Sequence, residues 1–583
     1  MTLNPTLLRR LKPSPAVRAI ALAFLVFLQS SAPLLAQDIS GGADLSKDIT
    51  GGAVGVLKIP RANKPHKQTT TLPASVSQFQ SSARQVKGSS RSGGGHKEPT
   101  ATPTPTPRPV ATAESYNAQG DKFFDDQQYD KAIVSYKQAI HLKPTYAQAH
   151  NNLGDAYFNL NKYAEAADAY KQAVRYKPDW AEAYNGLGDA LFNLHRDADA
   201  IPAYQQTIRL KPDTALAHYN LGYIYFGMSK FAEAVASLKE AVRLQPQDWE
   251  AYNYLGKAYD RLGQYESAIA AYRQVERYNP GNTEARASEA AALYNSGVAL
   301  FNSERYEEAI TVYKQAIEKK PDLPDVYSNI GDAYRRQNKF SEAADAYKQA
   351  ILLKQADADT YNNLGYVSTK LTRYSDAIEA YKKALSMKPD LNEAYDNMGY
   401  ALGKVRPARW PEAIEAFKHA IQLKSDDAEA YTNLGWAYNN TGRFNEAVDA
   451  LKQAVRLNPE SPAAQFNLGI AYSKLNRFAE GADAFKEATR LKPEWAEAHN
   501  DLGFAYGGQS RWKEAIEAHK QAIRLKQDYA GAYYNLGVAY FKSGNKKDAA
   551  EQYKVLQTMN PNLARNLYIM INNRNPPAGG YNH

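Results

Sequence analysis

The chain has 583 residues, 44% hydrophobic and 23% charged, enough for several domains or one long array of repeats. It holds no cysteine, which excludes disulfides, thiolate zinc sites, a cysteine nucleophile and a lipid anchor on an N-terminal cysteine. Of the net charge of +9, residues 1–36 contribute +4 and residues 37–112 contribute +6, leaving −1 for the remainder, so no basic nucleic-acid-binding face is expected.

Residues 1–36 read as a secretory signal peptide. Basic residues Arg9, Arg10, Lys12 and Arg18 precede an apolar run from Ala19 to Leu28, and small residues lead to a cleavage point after Ala36. The apolar run is short beside the ~20 residues of a spanning helix, so export to the periplasm or beyond is expected, with no stable membrane insertion after cleavage. An uncleaved inner-membrane anchor is the alternative. Residues 37–112 have no helical or strand period, and Gly-Gly pairs, Ser-rich stretches and a Thr-Pro run from Thr102 to Pro109 fill them. Such a segment buries too little apolar surface to offset its ordering entropy, and it reads as a disordered tether.

From residue 113 the sequence repeats. Glycines fall at 120, 154, 188, 222, 256, 297, 331, 365, 399, 435, 469, 503 and 537, and ten of the twelve intervals are 34 residues, the others being 41 and 36. The unit 147–180 carries Leu153-Gly154, Tyr157, Ala166, Tyr170, Ala173 and Pro178. This pattern resembles the tetratricopeptide repeat, whose signature is a Leu-Gly pair, an aromatic, Ala, an aromatic and Pro over 34 residues. The resemblance covers 113–563. It implies an all-α, right-handed superhelical solenoid of about thirteen helix-turn-helix repeats, used to bind other proteins or peptides. Repeats 1–5 occupy 113–282 and repeats 6–13 occupy 290–563. Seven residues, 283–289, are inserted between them as extra helical turns, and residues 564–583 form a capping helix and a disordered tail.

With the aligned glycine at position 8 of each repeat, the small residues at 8, 20 and 27 let two helices approach, and aromatics at 4, 11 and 24 fill the space between them. One helix pair cannot bury its apolar face alone, so stacking is obligatory. Two residues are added near Arg406-Pro407, and Pro202 interrupts one second helix.

At about 100° per residue, positions 2, 5, 6, 9, 12 and 13 of the first helix lie opposite its packed side. In solenoids of this family that side lines the concave groove, which makes these positions the candidate site. Position 6 is Asn at Asn152, Asn220, Asn295, Asn329, Asn363, Asn397, Asn433, Asn467 and Asn535. An amide both donates and accepts, so such a column either grips an extended peptide backbone or bonds between neighbouring repeats. The first use resembles the asparagine ladder of the repeat domain of O-linked N-acetylglucosamine transferase and of importin-α-type solenoids. Position 9 runs from Asp121, Asp155 and Asp189, with Asp332 later, to Tyr366, Tyr400, Trp436 and Phe504. Position 13 is basic at Arg336, Lys370, Lys404, Lys474 and Lys542. The C-terminal half is therefore expected to favour a ligand with apolar side chains and some negative charge. At position 12, Phe124, Phe158, Phe192 and Phe226 either join this face or pack on the second helix.

The clamp that related domains use for chaperone C-termini needs Lys at position 5 and Asn at position 9, and neither occurs here. No phosphate loop, nucleophile elbow or His-Glu-x-x-His motif is present. His150, His218, His499 and His519 fall in aromatic packing slots. A non-enzymatic, exported, peptide-binding scaffold without cofactor or metal is expected, in envelope assembly or secretion. An envelope polysaccharide stacking on Tyr and Trp is the second candidate partner.

Overall fold

The computed structural model describes residues 112–353 and 356–572. The segments read from sequence as a signal peptide and a tether, up to residue 111, and the tail beyond Asn572 lie outside the described residues. Those described form 27 α-helices and no strand. Twenty-six of the helices pair into thirteen hairpins, each a leading and a trailing helix, and one further helix, Pro561–Asn572, follows. They fall into two compact units divided between Ala437 and Tyr438. Within each unit a trailing helix packs on its own leading helix and on the leading helix of the next repeat.

The second repeat shows how the sequence builds a hairpin. Its leading helix is Ala147–Asn159 and its trailing helix Tyr163–Tyr176. Between them Asn161 adopts a left-handed φ of 59°, and the Lys162 N–H returns to the Tyr157 carbonyl at 2.9 Å. A left-handed residue closing the last turn redirects the chain in two or three residues. The same position is left-handed in Gly263, Asn338 and Asn476. The helices meet at Gly154, where an added Cβ would lie 2.7 Å from the Tyr170 ring. The next repeat brings Gly186 to 2.6 Å from that ring by the same measure. The ring at position 24 is thus held by both repeats. It is fully buried in Tyr204, Tyr313, Tyr347, Tyr381, Phe417 and His519. One slot filled repeatedly accounts for part of the 42 tyrosines.

At position 4 the rings of His150, His218 and His499 donate through Nε2 to the carbonyls of Pro144, Pro212 and Pro493, at 2.8, 3.1 and 2.9 Å. Each ties a leading helix to the turn that delivers it. Pro202 lies inside the trailing helix Asp197–Leu210. The leading helix of repeat 6, Thr283–Asn302, has 20 residues where its neighbour Trp249–Arg261 has 13. Among the described residues no helix is long and apolar enough to cross a membrane.

The final helix covers the last hairpin with Leu563, Leu567 and Met570, which join Tyr534, Val538 and Leu556 in one buried cluster. Without it those apolar side chains face water. Leu567→Ala is expected to cost about 2–5 kcal/mol, as for other fully buried leucines. Because repeats couple mainly to neighbours, the loss appears as faster hydrogen exchange in residues 530–572 with repeats 1–9 unaffected.

Candidate functional site

The position-6 asparagines face the adjoining repeat. Each is buried, at 7% exposure or less. Asn152 Nδ2 donates to Asp121 Oδ1 at 2.8 Å, Asn220 to Asp189 at 3.1 Å and Asn363 to Asp332 at 3.0 Å. Asn295 reaches Asp260 at 3.4 Å, Asn329 the Tyr294 hydroxyl at 3.1 Å, Asn433 the Asp396 carboxylate at 3.1 Å, and Asn535 the Asn500 carbonyl at 3.1 Å. Asn397 and Asn467 are 0% exposed, and the Asn467 main-chain carbonyl accepts from Asn439 Nδ2 at 2.9 Å. The column therefore does not present its amides to a groove. Of the two uses open to it from sequence, the geometry is that of bonds between repeats.

Where position 9 is Asp, its carboxylate accepts from the trailing-helix tyrosine, and at Asp121, Asp189 and Asp332 a three-residue relay forms. Tyr170 donates to Asp155, Tyr204 to Asp189 and Tyr347 to Asp332, each at 2.7 Å and fifteen residues away. The asparagine of the next repeat, thirty-one residues from the Asp, bonds the same carboxylate at Asp121, Asp189 and Asp332. The relay ties leading helix, trailing helix and next leading helix through one carboxylate. Sequence inspection by column misses it. The signal that finds it is the fixed spacing of Asp to Tyr to Asn across a repeat boundary. Burial raises the Asp189 carboxyl to about 6, against hydrogen bonds from Tyr204, Asn220 and Asn185 that pull it down. Asp332 is fully buried and also meets Arg335 Nη2 at 3.4 Å.

The position-9 rings are likewise turned into the stack. Tyr366, Trp436 and Phe504 are 4%, 2% and 4% exposed, and only Tyr400 is half-buried. Tyr400 stacks on Trp436 at 5.6 Å, and Trp410 meets Trp436 edge-on at 5.0 Å. Phe504 packs against Phe478 at 6.1 Å. The expectation of an exposed aromatic face along repeats 8–12 is corrected. A residue one step past the close-contact glycine points at the neighbouring helix, where a large ring gains most by burial. At position 12, Phe124, Phe158 and Phe226 pack edge-on against the first ring of their trailing helices, Tyr129, Tyr163 and Phe231. Phe192 instead meets Tyr223 at 5.7 Å, and Tyr223 meets Tyr254 at 4.8 Å. Phe192, Tyr223 and Tyr254 stay partly exposed. Tyr223 and Tyr254 were not among the sequence candidates, because they stand where other repeats place Asp and Asn.

The position-13 cations remain outside. Arg336 and Lys370 are exposed, and Lys404 and Lys474 are half-buried. Lys370 Nζ lies 5.5 Å from the Tyr366 ring, and Lys404 Nζ lies 5.6 Å from Tyr400 and 5.1 Å from Trp436. Burial holds the Lys474 ammonium below the ordinary lysine range, against the opposite pull of Asp501. Among the described residues Arg336 and Lys370 enter no ion pair. The arginines that precede the trailing helices differ: Arg305 pairs with Glu308, Arg409 with Glu412, Arg443 with Glu446 and Arg477 with Glu480. The leading-helix side of repeats 7 and 8 thus carries two exposed cations that no carboxylate among the described residues pairs.

Models of the TPR repeat match residues 120–161, 154–194, 196–229 and 508–544, and models of the tetratricopeptide repeat match 219–283 and 530–563. The model of the Cilia and flagella-associated protein 70 C-terminal domain matches 270–502. No curated protein matches the chain. Among solved structures, MamA is 28% identical over 28% of this chain and 94% of that one, with a TM-score of 0.27. YrrB, described as a TPR protein with an unusual peptide-binding site, is 21% identical over 34% and 96%, with a TM-score of 0.30. Yeast Tom70 is 18% identical over 76% and 99%, with a TM-score of 0.30. With hairpins throughout the described residues and repeat models at both ends of them, over 120–283 and 508–563, the chain belongs to the tetratricopeptide-repeat family.

Proposed function

We propose that the chain is an exported, non-catalytic scaffold that binds extended, acidic segments of other proteins along its leading-helix side. The observation that carries this reading is the charge on that side: Arg336 and Lys370 are exposed and form no ion pair among the described residues, whereas Arg305, Arg409, Arg443 and Arg477, at the heads of trailing helices, are matched to carboxylates. Unneutralised charge spaced one repeat apart favours a chain that offers carboxylates at intervals. The partly exposed rings Phe192, Tyr223 and Tyr254 add apolar anchors in repeats 3–5. The buried asparagines fix the spacing of the repeats and so the spacing of these contacts. The signal-like residues 1–36 and the tether that follows support a place in envelope assembly or secretion. Sugar binding needs open ring faces, and the burial of Tyr366 and Trp436 takes two of the rings that favoured a polysaccharide out of reach.

The test is selection of random twelve-residue peptides on the immobilised full chain. Peptides enriched in Asp and Glu beside apolar residues are expected. Enrichment of basic peptides contradicts the reading. N-terminal sequencing of the protein recovered from its own envelope fraction is expected to begin at Gln37.

A further inference from the structure

We propose that a groove on the trailing-helix side of repeats 5 and 6 is a docking site for a tyrosine side chain carried by a partner protein. It is independent of the leading-helix face described above. Its cause is the one long leading helix, Thr283–Asn302. Near the turn, Arg286 takes the part played elsewhere by a position-4 histidine. Its Nη2 donates to the Pro280 carbonyl, six residues back, at 3.4 Å, and it pairs with Glu276 of the preceding trailing helix at 3.5 Å. Further along, Gly297 meets Tyr313 of the following trailing helix, as the position-8 glycine does in other repeats. The same helix thus serves its two neighbours in frames seven residues apart, about two turns and about 10 Å of axial offset.

That offset leaves position 4 of repeat 6 between two trailing helices, and the residue there is Leu293. Repeats 1–5 and 7–10 place Tyr or His at this position. Tyr184, Tyr252, Tyr327 and Tyr361 are half-buried there, and Tyr252 stacks on Tyr278 at 6.2 Å. Repeat 6 lacks the ring, and two adjoining cavities of about 480 and 370 Å³ open over Leu293, both also lined by Arg273, Thr311 and Gln315. The walls are fixed from below. Glu289, 1% exposed, bridges Arg273 at 3.2 Å and Lys319 at 2.9 Å, one from each trailing helix. The floor is apolar, and the rim carries Arg273 and Lys319, both held by Glu289, with the carboxylates Glu266, Glu308 and Glu318 around them, a mixed-charge rim over an apolar floor that suits a neutral ring with a polar edge. The Gln315 amide and Thr311 hydroxyl supply polar groups for a phenol at the mouth.

The experiment is ligand-observed NMR on the full chain with two probes, 4-methylphenol and the peptide acetyl-Ala-Tyr-Ala-amide. Both are expected to bind, and Leu293→Tyr, which supplies the ring from within, is expected to weaken both at least about tenfold in the folded protein. If Leu293→Tyr fails to fold, Gln315→Trp at the mouth serves as the blocking variant with the same expected loss. Binding that neither variant changes, or no binding to the parent chain, overturns the site. Binding of 4-methylphenol without binding of the peptide overturns the assignment to a protein-borne tyrosine.

Discussion

Arg335→Met is expected to destabilise the contact between repeats 7 and 8 by about 3–5 kcal/mol, the cost of leaving a buried carboxylate without its counter-ion. Arg335 is 4% exposed, and its guanidinium lies 3.4 Å from Asp332 and over the Tyr366 ring at 5.9 Å. Asp332 keeps the Tyr347 hydroxyl at 2.7 Å and the Asn363 amide at 3.0 Å, but both donors are neutral. Asp189 shows what such a carboxylate does without a cation: its acid form is favoured, with the carboxyl raised to about 6. Asp332 is more deeply buried than Asp189, so its cost is at least comparable. Methionine keeps most of the stem of Arg335, so the loss reports charge rather than volume. Urea unfolding with hydrogen exchange reads the effect and locates it. Adding Asp332→Asn to Arg335→Met is expected to recover much of the loss, because no charge then remains to be matched. Arg336→Met, one residue on and exposed, is expected to change stability by no more than about 0.5 kcal/mol.

The second large effect is a pair of pH dependences of opposite sign, one in each compact unit. His519 is fully buried at position 24 of repeat 12, with Nδ1 3.0 Å from Asn500 Oδ1. Burial lowers it from 6.5 to about 3, so the folded state resists a proton that the unfolded chain accepts. Its contribution is fully present above pH 6.5 and is lost as pH falls toward 3, at about 1.4 kcal/mol per unit over that window. Asp189 runs the other way. Burial raises it from 3.8 to about 6, so the folded state holds the extra proton, and stability falls as pH rises through that window and is then level. His519→Phe, the ring used at Phe485 and Phe417, is expected to flatten the acid loss in residues 438–572. Asp189→Asn is expected to flatten the fall between pH 4 and 6 in repeats 3 and 4. Residue-resolved hydrogen exchange at pH 4, 5 and 7 separates them. An unchanged acid slope in His519→Phe means that the imidazole is not the group responsible.

Much of the fold was legible because the repeat reports itself thirteen times. The 34-residue spacing places each hairpin, the glycine at position 8 marks where the helices touch, and the apolar run from Ala564 to Ile571 marks a cap whose helix begins three residues earlier, at Pro561. The site was legible as a face but not as contacts. A helical wheel separates the packed side of a leading helix from the opposite side. It does not separate the groove from the flank that meets the preceding repeat, since both lie on the polar half. Asn363 and Tyr366 are on that flank, whereas Arg336 and Lys370, five residues past the close-contact glycine, clear it and reach solvent. The relay of Asp332, Tyr347 and Asn363 was hidden for a related reason: its members belong to three helices and two repeats, so no single column contains them.

The most direct measurement is the affinity of the tightest selected peptide for the full chain and for a triple variant, Arg336→Gln, Lys370→Gln and Lys404→Gln, at two salt concentrations. The variant is expected to bind at least tenfold more weakly and to lose most of the salt dependence, with its melting temperature unchanged. Equal affinity in the two proteins would contradict binding through these cations and return the search to Phe192, Tyr223 and Tyr254.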